Sequence, residues 1–155
     1  MVLDEGAFRA WLKAILEDPL VKAMMRRCLL TRPQLETLLI DLFASELMGR
    51  ELSTDEKATL RLGKKVSRGS FNRTLRQARL NVLKAIYTVL LLGYLGVLAT
   101  PNLEPYLELG SALKRYSEAL REMGADEKTL SGLREAIIAR LAELSGTRAL
   151  SGRGR

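Results

Sequence analysis

An all-α fold, a bundle of about seven helices, is what this sequence predicts. Three observations carry that reading. Apolar residues recur at spacings of three and four in segment after segment, which is the period of one helix face. Helix start and stop residues punctuate those segments at intervals that suit short connections. No stretch alternates apolar with polar residues as a half-buried strand would.

The elements follow in order. Phe8, Trp11, Leu12, Ile15 and Leu16 predict a helix over 4–17. Asp18-Pro19 ends it, because the residue before proline avoids helical angles. Leu20, Val21, Met24, Met25, Cys28 and Leu29 predict a second helix, with Cys28 as a small core residue. Thr31 is an N-cap for the third, and Pro33 is tolerated in its first turn. Leu35, Leu38, Leu39, Leu42, Phe43 and Leu47 form its inward stripe to about residue 48, with Gly49 as the stop. Ser53 and Glu56 have capping-box spacing. They open a brief fourth helix from Thr54 to Leu62, with Ala58 and Leu62 inward and Gly63 after it.

Ser67 caps the fifth helix, a long central one within Val66–Ala99. Its first half, Ser67–Leu83, is amphipathic and basic. Its second half, Ile86–Leu98, is apolar nearly all round and is expected to be buried. The 19 residues Ala85–Leu103 carry no formal charge, close to the length of a membrane span. Gly93, Gly96, Pro101 and Asn102 favour a buried helix ending near Ala99-Thr100 instead. The two glycines would let a neighbouring helix, or a second copy of the chain, approach closely.

Tyr106, Leu109, Leu113, Tyr116, Leu120 and Met123 predict helix six over 102–123, stopped by Gly124. Asp126 caps helix seven, with Leu130, Leu133, Ile137, Leu141 and Leu144 inward. Two such stripes joined by a short turn make an antiparallel hairpin. It either covers the central helix or serves as a dimerisation arm. The organisation is therefore 1–30 for the N-terminal helices, 31–99 for the unit holding the central helix and 102–145 for the hairpin. A basic tail over 146–155 lacks periodicity and is expected to be disordered.

Composition excludes much chemistry. The chain of 155 residues has no histidine and one cysteine. The usual zinc sites, the Ser-His and Cys-His nucleophile pairs and an internal disulfide framework are therefore out. Asp41, Glu46, Glu51, Asp55 and Glu56 read as solvated helix faces and caps rather than as acid–base catalysts. No phosphate-cradling loop, metal constellation or dinucleotide fingerprint appears. The expectation is a non-enzyme without cofactor or metal. The N-terminus is acidic rather than signal-like, so the cytoplasm is the expected compartment.

The charge distribution points to a partner. Residues 1–56 carry seven Lys/Arg and ten Asp/Glu, for a net −3. Residues 57–103 carry nine Lys/Arg and no acid, and residues 104–155 carry nine and eight, which recovers the net +7. A basic excess confined to one segment is the electrostatic footprint of a polyanion binder. At about 100° per residue, with Phe71 at zero, Leu75, Ala78 and Val82 fall within about 40° and make an inward stripe. Arg68, Asn72, Arg76 and Arg79 fall between about 60° and 140° and make an outward one. Arginine and asparagine match base edges in a major groove. Lys64, Lys65 and Ser67 at the turn suit phosphates, helped by backbone amides at the helix start.

Val66, Ser67, Arg68, Gly69, Ser70, Phe71, Asn72, Arg73, Thr74 and Leu75 follow a pattern of apolar, Ser, two variable, Ser/Thr, apolar, variable, Arg, variable, apolar. This resembles the turn and recognition-helix start of a helix-turn-helix of the repressor and sigma-factor kind. The resemblance covers about 31–83. Lys64 and Lys65 stand between Gly63 and Val66, which lengthens the turn, and no β-wing follows. The resemblance implies a helix-turn-helix over helices three to five, with base readout by Arg68, Asn72 and Arg73. The expected function is double-stranded-DNA binding by a transcription regulator, through Lys64, Lys65, Ser67, Arg68, Asn72, Arg73, Arg76 and Arg79. RNA is the alternative nucleic-acid partner, although few aromatics are available for stacking. A helical protein-interaction module, self-association and membrane association through Ala85–Leu103 are the other readings.

Overall fold

The computed structural model describes residues 1–97, 100–121 and 126–146. Within them the chain is all-α, with seven helices and no strand. It divides into two compact units, 1–87 and 88–155.

The first unit starts with α1 (Glu5–Glu17), capped by Asp4, whose carboxylate accepts from the Ala7 amide at 2.7 Å. Asp18 ends α1 and caps α2 (Pro19–Met25), accepting from the Leu20 and Val21 amides at 2.7 and 3.1 Å. α3 (Arg32–Leu47) opens on a reciprocal capping box between Thr31 and Gln34, and α4 (Thr54–Thr59) on another between Ser53 and Glu56. Each box satisfies two amides that a helix start leaves unpaired. α5 runs from Arg68 to Tyr94. Phe8, Leu12 and Leu16 of α1 meet Ile40 and Ala44 of α3, Ala58 of α4, and Phe71 and Leu75 of α5 in one core. Gly49 (φ +65°) turns the chain after α3 in a backbone conformation that strains any other residue, and a Cβ there would press on a Val2 methyl at 2.8 Å.

Several expectations are corrected here. α2 stops at Met25, so Cys28 and Leu29 are exposed rather than core. The buried line of α3 is Glu36, Thr37, Ile40 and Ala44, while Leu42 is 62% exposed and Phe43 sits at the margin against Trp11. Leu35, Leu38 and Leu39 only flank the core. The helix face is rotated because a buried ion pair occupies its centre. Glu36 accepts from the Leu62 amide and lies 3.1 Å from the Arg61 guanidinium, whose Nη1 donates to Thr37 at 3.2 Å. The pair anchors the chain after α4, which ends at Thr59 rather than Leu62. Leu60 becomes the buried residue there, and Leu62 is half-buried.

In the second unit, α6 (Thr100–Arg121) and α7 (Glu127–Leu144) form the expected antiparallel hairpin. Leu109, Tyr116, Leu130 and Ile137 are its buried residues, and the Tyr106 hydroxyl donates to the Leu144 carbonyl at 3.3 Å. Asp126 caps α7. Leu120 and Leu133 of the anticipated stripes are 53% and 37% exposed. Met123 and residues 147–155 of the tail lie outside the described residues.

The apolar end of α5 is the main departure. Burial on this helix ends at Ala78; Val82, expected inward, is 42% exposed, and Ile86, Tyr87, Val89, Leu90 and Leu91 are at least half exposed. The core of the first unit does not reach that far: Val82 lies about 6 Å along the axis beyond Ala78. The helix stops short of Ala99, because Gly96 (φ +72°) closes it in a Schellman motif. Its amide donates to Gly93 at 3.1 Å, and the Val97 amide donates to Leu92 at 2.9 Å. Nothing packs within 4 Å of a Cβ built at Gly93 or Gly96, so neither serves as a helix-approach point among the described residues. No described helix is long and apolar enough to cross a membrane.

Candidate nucleic-acid interface

The basic segment is presented by the connection 60–67 and the first three turns of α5. Ser67 sets the start of the helix: its hydroxyl accepts from the Ser70 amide at 3.1 Å and its carbonyl from the Phe71 amide at 2.9 Å. The amides of Arg68 and Gly69 are left without a helical partner, as at any helix start. Phe71, Leu75 and Ala78 are buried as the wheel requires, and they fix the rotation of the helix about its axis. That rotation exposes Arg68, Asn72, Arg73, Arg76 and Arg79, with Lys64, Lys65 and Ser67 exposed just before them. All eight residues singled out from the sequence therefore reach solvent. They lie on one helix and the strand of chain leading into it.

The cations differ in how they are held. Among the described residues, Lys64, Lys65, Arg73 and Arg76 have no ion-pair partner. Arg68 lies 3.8 Å from Asp55, with both side chains well exposed, a contact worth little in water. Arg79 is different. Its guanidinium donates to Asp41 at 2.6 Å, and the other oxygen of that carboxylate accepts from Lys57 at 3.0 Å. Asp41 is 17% exposed in its side chain and is not the solvated face residue that the sequence suggests. Its charge is shared by two cations, so Arg79 is the least available of the eight. A shallow groove runs beside this helix, lined by Asn72, Leu75, Arg76, Arg79, Leu80 and Leu83. It begins polar and ends apolar.

Two other carboxylates, Glu17 and Glu56, are held by nearby donors. Hydrogen bonds from Lys22 and then Arg32 hold Glu17 down to about 2. The Ser53 amide, then Arg50, do the same for Glu56, also to about 2. No group of three or more His, Cys, Asp or Glu side chains converges as a metal site among the described residues. The connection between α4 and α5 covers 60–67, longer than the three or four residues of a helix-turn-helix turn. Asp41 was missed because its partners lie 16 and 38 positions away, and no local spacing encodes that. In comparisons with protein-family models, curated proteins and solved structures, nothing matches this chain.

Proposed function

We propose that the chain is a double-stranded-DNA-binding protein, a transcription regulator rather than an enzyme, that offers the first half of α5 to a major groove. One observation carries the reading. Four exposed cations without an ion-pair partner among the described residues, Lys64, Lys65, Arg73 and Arg76, sit beside Arg68 and Asn72 at the capped start of a helix, in a stretch without a single acid. A merely solvated face mixes signs and pairs them, as the faces of α1 and α7 do through Glu5–Arg9 and Arg140–Glu143. In this reading Lys64, Lys65 and the open amides of Arg68 and Gly69 hold phosphates. Arg68, Asn72 and Arg73 read base edges, since Arg pairs bidentately with guanine and Asn with adenine. Arg76 follows the backbone, and Arg79 joins when its bond to Asp41 is released.

The test is selection of bound sequences from a random duplex pool, followed by binding of the enriched duplex and of a random duplex of equal length. The expected result is an enriched motif whose preference relaxes when Arg68 and Asn72 are both replaced by Ala. Replacing Lys64 and Lys65 by Ala should weaken both duplexes alike. Absence of duplex binding at 50 mM salt would refute the proposal. Tighter binding to double-stranded RNA than to any DNA duplex would refute it too.

A further inference from the structure

Leu80, Leu83, Tyr87, Leu90 and Tyr94 of α5 step along the chain by three, four, three and four residues, the a/d spacing of a coiled-coil seam. They are 38, 48, 63, 59 and 88% exposed. With Phe71 at zero on the helical wheel they lie between about 100° and 180°. That is the side of α5 turned away from the buried Phe71, Leu75 and Ala78. Ile86 and Leu91 flank the seam at about 60° and 200° and are each at least half exposed, so the face is wider than a strict two-position stripe.

We propose that this face pairs with its own copy, making the chain a homodimer through an antiparallel α5–α5 contact centred on Tyr87. The area argues for an occupant of protein size. The seven large apolar side chains of the seam and its flanks, Leu80, Leu83, Ile86, Tyr87, Leu90, Leu91 and Tyr94, are 38–88% exposed. At roughly half exposure each they offer on the order of 700 Å². That compares with about 800 Å² per partner in a standard interface and about 300–600 Å² for the largest apolar patch on a typical monomer. The heptad step argues for a helix as the occupant, and the identical seam of a second copy is self-complementary as a two-fold contact demands.

Charge sets the direction. Arg76 and Arg73 continue the same seam by steps of four and three toward the helix start. Parallel pairing would stack each against its own copy. Antiparallel pairing about Tyr87 sets Leu83 against Leu90 and Leu80 against Tyr94, and it places the two Asn72 residues about 45 Å apart along the axis. The like-charged halves are then well beyond a Debye length of each other. This inference does not depend on the DNA-binding reading, and its test contains no nucleic acid.

The experiment is sedimentation equilibrium of the full chain from 1 to 100 µM. A reversible dimer is expected, with Leu90→Glu raising its dissociation constant at least 100-fold. Far-UV circular dichroism and the thermal melt of the monomeric variant should stay near wild type, since Leu90 holds no core contact. In a Cys28→Ser background, Tyr87→Cys should form a covalent dimer under mild oxidation. Leu83→Cys should do so only when mixed with Leu90→Cys. A monomer at 100 µM would overturn the proposal, as would association indifferent to Leu90→Glu. A monomer that cosediments with anionic vesicles would assign the face to a membrane surface instead and equally overturn it. Self-crosslinking of Leu83→Cys in preference to Tyr87→Cys would overturn the antiparallel arrangement.

Discussion

Removing the negative charge of Asp41 should tighten polyanion binding, although Asp41 itself is largely buried. In the resting structure its carboxylate takes Arg79 at 2.6 Å and Lys57 at 3.0 Å. Three cations then remain for phosphates, Lys64, Lys65 and Arg76, while Arg68 and Arg73 are assigned to base edges. With a slope of about −0.9 per neutralised phosphate, the logarithm of affinity should fall against that of salt with a slope of about −2.7. Between 50 and 200 mM salt that is a loss of about 40-fold. Asp41→Asn keeps an oxygen that accepts from Lys57 but no longer holds Arg79 by charge. The slope should steepen to about −3.6, a loss of about 150-fold over the same range. The Arg79→Ala change should move the slope little in the wild type and remove the whole gain in the Asp41→Asn background. Fluorescence anisotropy with a labelled 20-base-pair duplex, repeated across that salt range, measures all four combinations. An unchanged slope in Asp41→Asn would refute the idea that Asp41 withholds Arg79. So would a full unit lost on Arg79→Ala in the wild type.

Other expectations concern the scaffold and are independent of ligand. Phe71→Ala empties a fully buried site where α5 meets the first unit's core, and should cost about 3–5 kcal/mol in urea unfolding followed by the fluorescence of Trp11. Glu36→Ala leaves the Arg61 guanidinium without its buried partner, and should cost about 3–5 kcal/mol in the same assay. Glu17 and Glu56 have folded pKa values near 2 against 4.5 ordinarily, so their pairing stabilises the fold fully above pH 4.5. That contribution should be lost as pH falls from 4.5 through about 2, and carboxyl chemical shifts followed by NMR should show both midpoints near the lower value. Cys28, exposed after the end of α2, should react stoichiometrically with a maleimide in the native state without change in circular dichroism.

What could be read directly from the sequence is what depends on neighbours in the chain. Thr31, Ser53, Ser67 and Asp126 act as N-caps because a hydroxyl or carboxylate two or three residues from an open amide needs no distant partner. The hairpin of α6 and α7 was readable because its two stripes follow one another across a short turn. The exposure of Arg68, Asn72, Arg73, Arg76 and Arg79 was readable because Phe71, Leu75 and Ala78 fix the rotation of α5. Composition alone placed nine cations in a run without an acid.

Tertiary structure decided where those faces point and where burial stops. Leucine-rich spacing on α3 predicted one buried face, but the Glu36–Arg61 pair claims the centre and turns Leu42 outward. Apolarity along Ile86–Leu98 implied burial, yet hydrophobicity states only that a surface should leave water, not which surface covers it. The core made by α1, α3, α4 and the start of α5 ends at Ala78 on that helix. Asp41 looked like an ordinary helix-face acid because its two cations come from α4 and α5, brought to it only by packing. Local hydrogen bonds and periodicity are written in adjacent residues. The length of a core, and the partner of a charge far away in the chain, exist only once the helices are packed.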